Sequence, residues 1–163
     1  MTDFERLLQA LAAGGVEYIL IGGLAANAHG AIRTTRDVDV VYARSRANLE
    51  RLEQTLAPLR PYLRGAPPGL PFRLDVATLQ SGLNFTLTTD LGELDLLGEV
   101  SGGGRYDDLL ADSDTLDLFG VSCRCLGLDA LIRVKRAAGR PKDFEAVAEL
   151  EALAEERRRL PPE

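Results

Sequence analysis

The 163-residue sequence has no tryptophan, a single histidine and only two cysteines. One histidine, His29, excludes a metal site built from several histidines, and no Gly-x-Ser-x-Gly turn of a serine hydrolase is present. Cys123 and Cys125 are too few for a disulfide scaffold, and a structural zinc site would need a second pair. We therefore expect both cysteines to be reduced thiols in a cytoplasmic protein.

Long apolar runs and an excess of positive charge are also missing. No run approaches the ~20 apolar residues of a membrane helix, and residues 1–10 lack the basic start and apolar stretch of a secretory signal. The net charge of −6 argues against a protein that coats nucleic acid, but it is compatible with a small basic groove. With 45% hydrophobic residues, the chain is predicted to form one domain over residues 1–163, with a core to about 127 and a helical segment over about 128–160.

Hydrophobic periodicity predicts an α+β protein with a mixed β-sheet flanked by helices and followed by C-terminal helices. A proline-rich loop is expected between Pro58 and Pro71, and a glycine-rich turn at residues 101–104. Helices are expected at 3–13, 24–29, 46–59, 106–110, 128–138 and from 141 onward, and strands at 16–21, 37–42, 73–77, 84–88, 93–97, 115–119 and 121–126.

Two carboxylates, Asp37 and Asp39, lie two residues apart in the predicted strand Asp-Val-Asp-Val-Val-Tyr. Such positions face the same way, roughly 6–7 Å apart, and two charges there repel by about 2–3 kcal/mol at an effective dielectric constant near 20. A bound cation offsets this repulsion, and Mg²⁺ prefers hard carboxylate oxygens together with substrate phosphates. The pair therefore indicates a metal-assisted phosphoryl-type displacement, although a solvated strand edge would have the same pattern.

A third acid would complete such a site. Asp95 stands between apolar neighbours in Gly-Glu-Leu-Asp-Leu-Leu and is the first candidate. Asp75, in Leu-Asp-Val, is the second candidate, and Glu93 shares the face of Asp95 and is held in reserve.

Gly22 and Gly23 end one predicted strand and open a helix. Backbone N–H groups at such a junction can approach a phosphate closely. No Gly-Lys-Ser/Thr follows, so this is not a P-loop. Taken alone, a glycine pair is more often an ordinary turn.

The segment GGLAANAHGAIRTTRDVDVVY, residues 22–42, resembles the signature of the DNA polymerase beta-like nucleotidyltransferase superfamily. It is most similar to small bacterial members, the minimal nucleotidyltransferases and abortive-infection toxins, through the form H-G-x-x-R-x-T-x-D. Residues 92–97 resemble the strand with the third carboxylate, and residues 135–143 resemble the C-terminal K-x-x-x-x-R-x-K-D segment.

The resemblance implies a fold, a reaction and residue roles. Gly22 and Gly23 would hold the nucleoside triphosphate, and Asp37 and Asp39 would bind two Mg²⁺ ions, for which Mn²⁺ is an alternative. Asp95 would bind one metal and assist deprotonation of the acceptor hydroxyl. A nucleoside monophosphate would be transferred and pyrophosphate released.

Several further side chains are candidates for nucleotide binding, each with an ordinary structural alternative. Arg33 could meet phosphates or form salt bridges, and Thr35 could bond locally. His29 is expected to be structural. The C-terminal candidates for contact with the triphosphate, which could instead form ordinary ion pairs, are Lys135, Arg140 and Lys142.

The acceptor is left open as a protein side chain, a transfer RNA end or a small molecule. The alternative function is a non-catalytic nucleotide-binding or partner-binding protein of a toxin–antitoxin pair. A cognate toxin or antitoxin partner and an oligomer are both compatible with the sequence, and no membrane association is expected.

Overall fold

The computed structural model describes residues 1–160, which form a seven-stranded mixed sheet flanked by helices, with strand order β3-β4-β5-β2-β1-β7-β6. This confirms the predicted α+β class. The strands are β1 Tyr18–Ile21, β2 Asp37–Tyr42, β3 Tyr62–Leu63, β4 Asn84–Thr89, β5 Gly92–Leu97, β6 Ser113–Leu118 and β7 Val121–Leu126. The helices are α1 Phe4–Ala13, α2 Gly22–Ala28, α3 Arg46–Leu56, α4 Val76–Ser81, α5 Tyr106–Leu109, α6 Leu128–Ala138 and α7 Pro141–Arg159.

Strand β2 lies at the centre of the sheet, antiparallel to β1 and parallel to β5. Its side chains alternate as the sequence predicts, because Val38 and Val40 are fully buried in the core while Asp37 and Asp39 face the opposite side. The register of β2 is thereby fixed, since a slip of one residue would bury both acids in the core.

Helix α1 packs across the sheet through Leu7, Leu8 and Leu11, all fully buried. Burying each leucine side chain stabilises the fold by about 2 kcal/mol. The side chain of Asp3 accepts a hydrogen bond from the backbone N–H of Arg6 and so begins the helix where the sequence predicts it.

Helices α6 and α7 are joined by a short turn and pack against each other. Gly139, in a left-handed conformation with φ of 67°, ends α6, and Pro141 begins α7. Val147 and Leu150 of α7 are buried against the core. The turn between α6 and α7 lies on the side of the sheet that carries the acids, because Arg140 lines the same cavity as Asp37 and Asp39.

Two predictions made from the sequence are wrong. Residues 73–77 do not form a strand, because the side chain of Asp75 accepts a hydrogen bond from the backbone N–H of Thr78 at 2.8 Å and caps helix α4. The expected loop between Pro58 and Pro71 contains the edge strand β3, which pairs with β4.

Cys123 and Cys125 are buried free thiols on β7. Burial raises the pKa of both thiols, so they are protonated at neutral pH. Among residues 1–160, none of the helices combines the length and apolar character needed to span a bilayer.

Candidate active site

Three carboxylates converge on the face of the sheet opposite the buried valines. Asp37 and Asp39 project from β2, and Asp95 projects from β5, where it pairs in register with Asp39. One carboxylate oxygen from each of the three lies within 4.8 Å of the other two, and all three residues are half-buried. The structure thus places the first-ranked third acid beside the pair.

The other two candidates for the third acid have different positions. Asp75 serves as the cap of helix α4 and does not belong to the carboxylate group. Glu93 lies beside Asp37 in the β2–β5 register, and a hydrogen bond shared with Asp37, followed by burial, raises the pKa of Glu93. Four acids therefore lie close together on one face of the neighbouring strands β2 and β5.

This crowding shows in the protonation of Asp39. Burial, a hydrogen bond with Asp95 and the negative charges of Asp95 and Asp37 raise the pKa of Asp39 to about 7, although the charge of Lys135 acts in the opposite direction. A carboxylate whose ionised form is this unfavourable gains most from a nearby cation.

The donor set fits a divalent metal ion. Mg²⁺ and Mn²⁺ favour carboxylate oxygens, and the three aspartates supply them within one ion's reach. Asp95 Oδ1 is buried and has no well-aligned hydrogen bond. Nη2 of Arg64 lies 2.8 Å away and forms an ion pair with it, but the N–H of that nitrogen is not directed at the oxygen. A buried carboxylate oxygen without an aligned donor is a suitable metal ligand.

The glycine pair lies directly against the acids. Gly22 has φ of +73°, and a Cβ atom on it would overlap the carboxylate of Asp39. A Cβ atom on Gly23 would lie only 2.7 Å from Oγ1 of Thr35. Both positions therefore require glycine, which lets the backbone between β1 and α2 approach the carboxylates closely.

Two cavities open on either side of the acids and share Asp39, Asp95, Lys135 and Arg140. The first, about 370 Å³, is called the basic cavity because Arg33, Arg36 and Lys142 line it in addition to the shared cations. Thr34, Thr35 and three further acids, Asp37, Asp143 and Glu149, also line it. The second, about 330 Å³, is the apolar cavity, and its walls include Ile21, Leu97, Val100, Leu131 and Val134 together with Glu99 and Ser101.

Lys135 and Arg140 reach the acids from the α6–α7 turn, held by Asp143. Arg140 Nε lies 2.7 Å from Oδ2 of Asp143, and Lys135 Nζ lies 3.6 Å from Oδ1. The side chain of Asp143 is only 1% exposed. In the sequence, Asp143 is the last residue of the K-x-x-x-x-R-x-K-D segment but was given no role of its own, although an acid at the third position of a helix is a recognisable capping signal.

The remaining candidates have structural partners. Arg33 forms salt bridges with Glu149 at 3.2 Å and Glu145 at 3.5 Å, both from α7. The hydroxyl of Thr35 donates to the backbone carbonyl of Asp37 at 3.4 Å.

His29 is structural in this arrangement. Its Nε2 lies 2.8 Å from the backbone carbonyl of Leu126, which ties the end of α2 to β7. Lys142 lines the basic cavity.

Arg64 belongs to the site but escaped sequence reasoning. It follows β3, and its guanidinium lies 2.8 Å from Asp95, 3.7 Å from Asp37 and 3.8 Å from Glu93. Its position depends on the pairing of β3 with β4, which no local pattern in the proline-rich segment signals.

No protein-family model matches the sequence, and no curated protein is similar to it at the level of sequence. The structure, however, is similar to solved structures. One is the lincosamide antibiotic adenylyltransferase LnuA with lincomycin bound, with a TM-score of 0.61, 14% identity, and coverage of 94% of this chain and 98% of that one.

Two further structures are similar over most of the chain. ANT(2'')-Ia in complex with adenylyl-2''-tobramycin has a TM-score of 0.57 and 16% identity, covering 93% of this chain and 87% of its own. An antigenic nucleotidyltransferase-like protein from Paracoccidioides brasiliensis has a TM-score of 0.56 and 17% identity, covering 91% and 72%. The resemblance found in the sequence is thus confirmed at the level of architecture, and the chain has the nucleotidyltransferase fold.

Proposed function

We propose that the protein is a Mg²⁺-dependent nucleotidyltransferase that moves a nucleoside monophosphate from a nucleoside triphosphate to a hydroxyl acceptor. The observation that carries the proposal is the convergence of Asp37, Asp39 and Asp95 between a basic and an apolar cavity. The shared fold with antibiotic adenylyltransferases supports it.

The three aspartates would hold the metal, with Mn²⁺ as an alternative ion. When bound, the metal supplies charge neutralisation for the phosphate oxygens, and two ions could be accommodated as the sequence resemblance implies. Gly22 and Gly23 let the triphosphate lie close to these carboxylates.

The reaction is a displacement at the α-phosphorus. The acceptor hydroxyl oxygen forms a bond to that phosphorus, while the bond from phosphorus to the bridging oxygen of the β-phosphate breaks. Asp95 accepts the hydroxyl proton, and pyrophosphate leaves with the bond's electron pair.

The basic cavity is suited to the triphosphate. Lys135 and Arg140 lie at the boundary of both cavities, where their charges meet phosphate oxygens and developing charge on pyrophosphate. Lys142, Arg33 and Thr35 line the same cavity and would contact the remainder of the nucleotide.

The apolar cavity is suited to the acceptor. Its size, about 330 Å³, fits a small molecule rather than a folded partner, and Glu99 adds negative charge among the apolar side chains. Lincomycin and adenylyl-2''-tobramycin are the compounds in two of the similar structures. We therefore favour a small hydroxyl compound, neutral or cationic, over a protein side chain or a transfer RNA end. The association with a toxin–antitoxin pair stays a prediction from the sequence resemblance.

The test is transfer of label from each α-labelled nucleoside triphosphate in the presence of Mg²⁺. Candidate acceptors are lincosamides, aminoglycosides, a small-molecule extract, total RNA and the protein itself, and the Asp37→Asn/Asp39→Asn double variant is the control. A labelled species that requires Mg²⁺ and disappears in the variant is expected. Saturable nucleotide binding without any transfer would favour the alternative, a non-catalytic nucleotide-binding protein, and overturn the enzyme.

A further inference from the structure

The positively charged guanidinium of Arg64 lies beside the cluster of three carboxylates formed by Asp37, Asp39 and Asp95. Its Nη2 donates to the backbone carbonyl of Leu87 at 2.7 Å, and the same atom lies 2.8 Å from Asp95 Oδ1. Its Nη1 lies 3.7 Å from Asp37, and its side chain is 23% exposed. The guanidinium thus touches two of the three carboxylates that would hold a metal ion.

These contacts are close but incompletely satisfied. Nε of Arg64 and Oδ1 of Asp95 are both buried and make no aligned hydrogen bond. Buried polar atoms in a purely structural ion pair are normally hydrogen-bonded, because leaving them unsatisfied is costly. The ion pair between Arg64 and Asp95 is therefore one in which another cation could replace the guanidinium.

A guanidinium and a divalent ion would use the same carboxylate oxygens. Asp95 Oδ1 can either face Arg64 or coordinate a metal, and the two cations repel each other across it. A triphosphate changes this competition, because guanidinium binds phosphate oxygens well and so gains an alternative partner.

We propose that Arg64 is a built-in countercation that weakens the binding of free divalent metal and thereby couples metal loading to nucleotide binding. The inference rests on the proposed function, since it requires the three aspartates to be the metal site. Arg64 is a positioning residue here: it acts on the metal through the carboxylates.

The experiment measures Mn²⁺ binding by electron paramagnetic resonance on the full chain. Wild type is compared with Arg64→Gln, with Arg64→Lys, and with the control Arg60→Gln, which removes an exposed arginine paired with Asp90 outside the carboxylate group. Each protein is titrated with Mn²⁺ alone and with α,β-methylene analogues of ATP and GTP present.

With Mn²⁺ alone, Arg64→Gln is expected to bind at least tenfold more tightly than wild type, equivalent to about 1.4 kcal/mol. Arg64→Lys and Arg60→Gln are expected to stay within threefold of wild type, because both keep the charge at position 64. An analogue should tighten Mn²⁺ binding at least tenfold in wild type and less in Arg64→Gln.

Equal Mn²⁺ affinities in wild type and Arg64→Gln would overturn the role of Arg64 while leaving the proposed function intact. Tight binding by Arg64→Lys would do the same, since charge would not be the cause. Absence of Mn²⁺ binding in every folded protein, with or without the analogues, would overturn the proposed function itself. If circular dichroism shows Arg64→Gln unfolded in EDTA, millimolar Mn²⁺ should restore its fold, and failure to do so counts against the proposal.

Discussion

Asp39 of β2 and Asp95 of β5 occupy the same register position on two neighbouring parallel strands, so their side chains meet on one face of the sheet. Burial of Asp39, followed by a hydrogen bond with Asp95 and repulsion between the two groups, raises the pKa of Asp39 and favours its protonated form. The three carboxylates therefore hold negative charge that is unfavourable in this setting and that a bound cation would offset.

The first prediction concerns the stability of the metal-free protein. Asp39→Asn removes the disfavoured charge, so it should raise the free energy of unfolding in EDTA at pH 8 by roughly 1–2 kcal/mol while abolishing transfer activity. Urea denaturation followed by circular dichroism measures the difference. A variant less stable than wild type under these conditions would contradict the electrostatic account.

The second prediction is the pH dependence of that difference. The pKa of Asp39 in the folded state, about 7, lies above its ordinary value of 3.8, so the folded state binds the proton more tightly than the unfolded state. The contribution of Asp39 is fully favourable below pH 4 and is lost as the pH rises to about 7, by at most ~1.4 kcal/mol per pH unit.

Burial is the main cause of this raised pKa, and of the groups facing Asp39, Asp95 and Asp37 raise it further while Lys135 lowers it. Subtracting the Asp39→Asn unfolding curve from that of wild type, both in EDTA, isolates the contribution from other titrating acids. A difference that is flat between pH 4 and 8 would be inconsistent with the raised pKa.

The third prediction concerns Gly22. Gly22→Ala places a side chain in a left-handed conformation and pushes it against the Asp39 carboxylate, so it should destabilise the fold by about 2 kcal/mol or more and weaken Mn²⁺ binding. Gly120→Ala is the matched control, because Gly120 has φ of +76° with open space around it. Equal losses of stability and Mn²⁺ affinity in both variants would refute the close approach to Asp39.

The fourth prediction concerns the anchor of the basic residues. Burial alone would raise the pKa of Asp143, but hydrogen bonds from Arg140 hold it below its usual value, so the carboxylate is charged at neutral pH. Asp143→Asn should cost about 1–3 kcal/mol of stability and raise the KM for the nucleotide. Glu155→Gln, which breaks an exposed pair with Arg159, should cost at most about 0.5 kcal/mol and leave the KM unchanged.

The fifth prediction separates the two cavities. Ala138 is exposed at the end of α6 and lines the apolar cavity, so Ala138→Trp should raise the KM for the acceptor at least tenfold while nucleotide affinity stays the same. Ala152→Trp, at an exposed position of α7, controls for the added tryptophan. A selective loss of nucleotide affinity in Ala138→Trp would reverse the assignment of the cavities.

Much of the site could be predicted because its signals are local. Alternation of Asp37, Val38 and Asp39 gives the strand and its face, and the same alternation around Asp95 gives the neighbouring strand. The position of Asp95 beside Asp39 depends on the pairing of β2 with β5. In the sequence alone, only the family resemblance suggested that pairing.

The failures have physical causes. Leu74-Asp75-Val76 reads equally as a short strand or as a helix beginning, and the backbone N–H of Thr78 decides in favour of the helix by bonding Asp75. Arg64 carries no local signal, because its contact with Asp95 is set by the long-range pairing of the two-residue strand β3 with β4. A single sequence does not show which distant strands pair or in which register.

The most direct measurement is the crystal structure of the protein with Mn²⁺ and a non-hydrolysable nucleoside triphosphate, examined for anomalous scattering from manganese. At least one manganese peak is expected among the carboxylates of Asp37, Asp39 and Asp95, with the triphosphate in the basic cavity beside Gly23. A structure in which the nucleotide is bound elsewhere, or in which these three carboxylates hold no manganese at saturating Mn²⁺, would show that they are not the metal site of a nucleotidyltransferase.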